Sequence, residues 1–143
     1  MKIDNMISKM GKIKEKANEL IIEELNKRGH VGLAPSHGDI LSTLIFHGNM
    51  TKKEISNKIN RKQSTVTTLI SKLEKLGYLS SQVNLEDARS IVVSLTEKGY
   101  KMKNDFIEIS EMLYKIQYKG MTEDQIEKFK ENLDRVYKNF VIK

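Results

Sequence analysis

Residues 51–75 concentrate the groups that could do chemistry in this chain. Lys52, Lys53, Lys58, Arg61, Lys62, Lys72 and Lys75 stand against only Glu54 and Glu74, a surplus of five positive charges. The whole chain of 143 residues carries a formal charge of +6, so the flanking segments are close to balanced. Positive charge gathered in this way suits a polyanion such as nucleic acid. Interleaved with the cations are Gln63, Ser64, Thr65, Thr67, Thr68 and Ser71. Short polar side chains of this kind can contact base edges and phosphates, and they also make an ordinary solvated helix face.

A second constellation lies at Glu86-Asp87-Ala88-Arg89-Ser90. Asp87 is placed to hold the Arg89 guanidinium by a bidentate contact and so present it in a fixed pose. An oriented arginine on a projecting loop suits the minor groove of DNA, where a narrow A·T tract deepens the negative potential. A turn closed by one salt bridge would look the same in sequence.

Other chemistries find little support. His30, His37 and His47 have no compact metal-ligand spacing, and there is no cysteine, so no metal site and no cofactor are expected. No nucleophile-base order, phosphate-cradling glycine loop or paired carboxylate suggests catalysis; the Gly-x-x-Gly at 29–32 lacks a following lysine and hydroxyl. The chain is expected not to be an enzyme. No apolar run approaches the roughly 18 residues of a membrane span. The start, MKIDNMISKM, is polar where a secretory leader would be apolar. No membrane association and a cytoplasmic location are the expectation.

These groups need elements to position them. Apolar residues at helical spacing from Ile3 to Leu25 predict one long amphipathic helix, followed by a loop at 29–35. Ser36 with Asp39, Thr51 with Glu54, Thr96, and Thr122 with Gln125 read as helix-start caps. Between Arg61 and Leu76 a further helix would bury Val66, Leu69, Ile70, Leu73 and Leu76 and turn Ser64, Thr68, Ser71, Lys72 and Lys75 outward. Leu79–Val83 and Ile91–Leu95 read as two strands around a turn. The helix after Thr96 would bury Met102, Phe106, Ile109, Leu113 and Ile116, and the last would turn Phe129, Leu133, Val136, Tyr137 and Phe140 inward. The outcome is a mainly α fold with one small β-hairpin, whose terminal helices carry more apolar surface than a monomer tolerates.

Residues 87–99, DARSIVVSLTEKG, resemble the wing signature of the MarR family, in which Asp-x-Arg is followed by a strand and then Leu-Thr-x-x-Gly. LAPSHGDIL (33–41) and STVTTLISKLEKLGYL (64–79) match at the expected distances. The resemblance implies a winged helix-turn-helix regulator in three parts: an N-terminal dimerisation helix and loop (1–35), a DNA-binding domain (36–96) and C-terminal dimerisation helices (97–143). It implies a homodimer on double-stranded DNA with a pseudo-palindromic site, more often a repressor. The helix from Lys62 would read the major groove, with Arg89 in the minor groove supported by Asp87. It also implies a small lipophilic or aromatic effector in a cleft that Leu33, His37, Phe46 and His47 could border. Many relatives carry Arg after the Thr-Val-Thr stretch where this chain has Thr68, which cannot make the bidentate guanine contact. A winged-helix module for protein contacts, or a nonspecific architectural DNA binder, are the alternatives.

Overall fold

A computed structural model describes residues 1–141; Ile142 and Lys143, the end of the expected segment 97–143, lie outside the described residues. The elements are α1 (Met6–Lys27), α2 (Pro35–His47), β1 (Met50–Thr51), α3 (Lys52–Ile59), α4 (Gln63–Lys75), β2 (Leu79–Val83), β3 (Ile91–Leu95), α5 (Glu97–Gln117) and α6 (Glu123–Val141). They fall into two compact units, residues 1–109 and the residues from Ser110 onward.

The first unit holds the core. Ile40, Leu41 and Leu44 of α2, Ile55 of α3, Val66, Ile70 and Leu73 of α4, Tyr78, and Val93 of β3 are buried together. Each fully buried aliphatic side chain contributes about 1.5–3 kcal/mol. The antiparallel sheet runs β1-β3-β2. β2 and β3 pair from Leu79 with Leu95 to Val83 with Ile91, in the ranges expected from two β-prone runs around a turn. β1 is an addition: Met50 and Thr51 pair with Val93 and Val92. Two residues are too short to show a period, so the sequence reading placed no strand there.

Three of the expected helix starts hold. Thr51 and Glu54 form a reciprocal cap, with the Glu54 N–H donating to Thr51 Oγ1 at 3.1 Å and the hydroxyl donating to the carboxylate. At the last helix the Gln125 N–H donates to Thr122 Oγ1 at 3.2 Å, while the Thr122 backbone N–H donates to Gln125 Oε1 at 2.9 Å. The Thr96 hydroxyl accepts from the Gly99 N–H and donates to the Gly77 carbonyl. The fourth is corrected: the N-cap of α2 is Ala34 and not Ser36, with Pro35 in the first helical position. Proline lacks the N–H that would need a partner there and has the helical φ built in. His37 takes the capping role expected of an acid, accepting the Ala34 N–H at Nδ1, 2.9 Å away.

α1 starts after Ile3, at Met6, whose N–H is held by the Asp4 carboxylate. Of the expected inward face of α5, Met102 and Ile109 are buried, whereas Ile116 is exposed. In the second unit, Tyr114, Tyr118 and Phe129 meet edge to face, with Lys130 Nζ 5.6 Å above both tyrosine rings. The expected inward residues Phe129, Leu133, Tyr137 and Phe140 are instead exposed, and α6 buries none of its side chains. The helical period was legible, but among the described residues that stripe is left exposed.

Gly99 stands where a cap would ordinarily carry an acid because the junction has no room for more. A Cβ there would abut the Tyr78 carbonyl oxygen and lie 2.9 Å from Leu95 Cδ2. Gly99→Ala is expected to lower stability by about 1–3 kcal/mol, read as a lower denaturant midpoint with an unchanged slope.

Candidate nucleic-acid interface

The site begins with the rotation of α4. Its Val66, Ile70 and Leu73 are fully buried against α2, α3 and the sheet, and burying one stripe at helical spacing turns the rest outward. Ser64, Thr65, Thr67, Thr68, Ser71, Lys72 and Lys75 are accordingly all exposed. Lys62 and Gln63 are exposed at the helix start. Lys62 occupies the N-cap position without a side-chain cap bond. The amides of the first turn therefore face outward beside two cations, Arg61 and Lys62, a setting that favours an anion.

The turn that aims α4 is specific. Asn60 adopts a left-handed conformation with φ 56°, which asparagine tolerates better than most residues. The Ser56 carbonyl accepts from both the Asn60 and Arg61 N–H groups. Arg61 reaches back to Asp39 of α2 at 3.4 Å. One polar group on α4 is already engaged: the Thr68 hydroxyl donates to the Ser64 carbonyl of its own helix at 3.1 Å. It can still accept, but it brings one fewer donor to a base edge.

The wing tip is built by short-range hydrogen bonds. The Asn84 N–H donates to the Ser90 carbonyl and its side-chain amide to Ser90 Oγ, closing the loop. The Asn84 side chain accepts the Glu86 N–H, and Ser90 donates through both N–H and hydroxyl to the Asp87 carbonyl. Asp87 Oδ1 accepts from the Arg89 N–H at 3.0 Å and from Nε at 3.2 Å. The expected bidentate grip on the guanidinium is thus corrected: one carboxylate oxygen ties Arg89 at its backbone and at Nε. With Asp87 Oδ1 already held by the Arg89 backbone N–H, the nearer Nε takes the side-chain contact in place of the terminal nitrogens. The consequence suits presentation, since Nη1 and Nη2 point away from the tether and the side chain is 92% exposed.

The root of the wing is held by groups the sequence did not bring together. His30 lies with Nδ1 2.8 Å from the Tyr78 hydroxyl and Nε2 2.8 Å from Asp105. Tyr78 is buried, and burial, with Asp105 nearby, raises the pKa of its phenol. Lys98 Nζ lies 4.5 Å above the Tyr78 ring and donates to the Leu76 carbonyl at the end of α4. Arg28 pairs with Glu24, Asp105 and Glu108 around the same junction. The partners of His30 lie 48 and 75 positions away, so spacing carried no signal.

The four residues expected to border an effector cleft do not share one environment. Leu33 and His37 are buried in the core, while Phe46 and His47 are exposed at the far end of α2, Phe46 meeting Phe106 edge to face. His37 is committed to the helix cap. Among the described residues, no group of three or more His, Asp or Glu side chains is arranged to hold a metal ion, and no helix is long and apolar enough to cross a membrane.

Comparison with known proteins follows the same outline. The MarR family model matches residues 33–91, the stretch that runs from the loop before α2 to the start of β3. The HTH-type transcriptional regulator MhqR of Bacillus subtilis is 29% identical over 127 residues, covering 85% of this chain and 84% of that protein. The HTH-type transcriptional repressor IacR of Pseudomonas putida is 28% identical over 100 residues, 70% of this chain, and the match spans 60% of IacR. In fold, the chain is similar to S. aureus MepR in its DNA complex, with a TM-score of 0.82, 20% identity and coverage of 97% and 99% of the two chains.

His37 supplies a pH prediction. Burial, reinforced by the positive charge of Lys72, lowers its pKa from the ordinary 6.5, and accepting the Ala34 N–H requires an unprotonated Nδ1. The unfolded chain therefore binds this proton more readily than the folded one. Stability from this group is present above pH 6.5 and falls as the pH drops from there toward the lowered value. An NMR titration is expected to put the His37 midpoint below 6.5, and a denaturation series to show the loss on the same side.

Proposed function

We propose, for a chain that belongs to the MarR family through residues 33–91, that it is a dimeric, sequence-specific DNA-binding repressor acting by promoter occlusion. α4 is the major-groove reader, with Lys62, Gln63, Ser64, Thr65, Thr67, Ser71, Lys72 and Lys75 on bases and phosphates. Arg89 enters the minor groove, with Asp87 holding its Nε. The observation that carries this reading is the division of α4: one face fully buried, the other exposed and cationic, beside a wing whose tip offers an oriented arginine. A module for protein contacts has no evident use for that combination.

A second copy of the chain is the proposed cover for the exposed apolar residues of α6 and of the first half of α1. Phe129, Leu133, Phe140 and Val141 on α6, and Ile7 and Ile13 on α1, are too large an apolar surface to leave in water. Two copies related by a two-fold axis would present two α4 helices to a pseudo-palindrome. An effector that changes the distance between those helices would release the promoter.

The reading is tested by measuring duplex affinity against salt. Affinity is expected to fall steeply as salt rises, with a log-log slope of about −0.9 per phosphate neutralised; salt-independent binding would contradict it. Arg89→Ala should weaken binding to the preferred duplex by about 1–3 kcal/mol while leaving the melting temperature unchanged. For the dimer, Leu133→Asp combined with Phe140→Asp is expected to shift the chain from twice its mass to a monomer in sedimentation.

A further inference from the structure

The hairpin carries apolar side chains beyond the point where there is a core to cover them. Residues alternate between the two faces of a strand, so the cross-strand pairs Leu79 with Leu95, Ser81 with Val93, and Val83 with Ile91 lie on one face. The first pair is buried and Val93 with it. Ser81 already faces solvent and meets Glu74. The next pair along, Val83 and Ile91, is apolar again yet 60% and 39% exposed. Past it, Leu85 stands fully exposed in the loop.

Single exposed leucines are common, but this one belongs to a run of three apolar residues on a tip held in place. The Asn84 side chain accepts the N–H of Glu86 and donates to Ser90, which brackets Leu85 between two anchored residues. Arg89 shares the same tip and is tethered to Asp87. A solvated hairpin has no need for valine, leucine and isoleucine at its outer end, where each exposed apolar group costs hydration free energy.

We infer that Val83, Leu85 and Ile91 form an apolar contact with the minor groove of duplex DNA, packing against its deoxyribose walls beside Arg89. The inference rests on the DNA-binding reading above and adds residues to it that carry no charge. The pairing of chemistries is what selects the occupant: a guanidinium matches the negative potential of the groove floor, and aliphatic groups match the C–H faces of its sugars. Expelling water at the tip would also strengthen the arginine contact by lowering the local dielectric. An aliphatic wedge at such a site can open a base step and bend the duplex.

The test uses the full chain and a labelled duplex that the wild-type protein selects from a random-sequence pool, with affinity measured across a salt series. Leu85→Ser is expected to weaken binding about tenfold, as the loss of a buried aliphatic contact implies, and Leu85→Met to stay within about twofold. The salt slope of Leu85→Ser should equal that of the wild type because no cation is lost, whereas Arg89→Ala should reduce its magnitude by about 1. Leu85 is exposed, so unfolding does not account for a loss. Leu85→Ser binding within about twofold of wild type would overturn the inference while leaving the DNA-binding reading intact. A wild-type protein that selects no duplex would overturn both.

Discussion

Burial of one face of α4 is the constraint on which everything else depends. With Val66, Ile70 and Leu73 fixed in the core by α2, α3 and β2, the helix has no rotational freedom, and its polar residues face outward by default. The lysines and hydroxyls need no dedicated scaffold of their own. The turn at Asn60 and the bond from Arg61 to Asp39 then set the direction in which that face points. Hydrophobic burial is non-directional, yet through helical periodicity it produces a directional display.

The wing obeys a different logic at each end. Its root is tied into the first unit by the Thr96 hydroxyl on the Gly77 carbonyl, by Gly99 pressed against the Tyr78 backbone, and by His30 between Tyr78 and Asp105. Its tip receives no such support and is organised by bonds within seven residues, from Asn84 to Ser90. A rigid root with a self-contained tip lets Arg89 and Leu85 project while keeping their geometry. β1 adds a third strand at the root side of β3, pairing Met50 with Val93 where the sheet meets the core.

Much of this was legible in the sequence wherever the signal was local. The pairing of Leu79–Val83 with Ile91–Leu95 followed from two short β-prone runs around a turn, and the buried face of α4 from a stripe of five apolar residues. Legibility failed where the partner lay far along the chain or outside it. His30 finds Tyr78 and Asp105 across 48 and 75 positions, and no spacing rule joins them. Pro35 overrode the Ser36 cap because its missing N–H makes it the better first helical residue. Asp87 could be paired with Arg89 from sequence, but the choice of Nε over the terminal nitrogens depends on backbone geometry that only the folded loop supplies. The stripe of Phe129, Leu133 and Phe140 on α6 was visible as a period, while its cover, a second copy in the reading proposed here, lies outside the chain.

The central claim is that two copies present α4 and the wing to one duplex. Selection of bound duplexes from a random pool tests it most directly, because the recovered sequences report symmetry and specificity together. The account predicts a pseudo-palindrome whose half-sites are centred about one helical turn, roughly 10 base pairs, apart. Recovery of no preferred sequence, or of a single unpaired half-site, would contradict it.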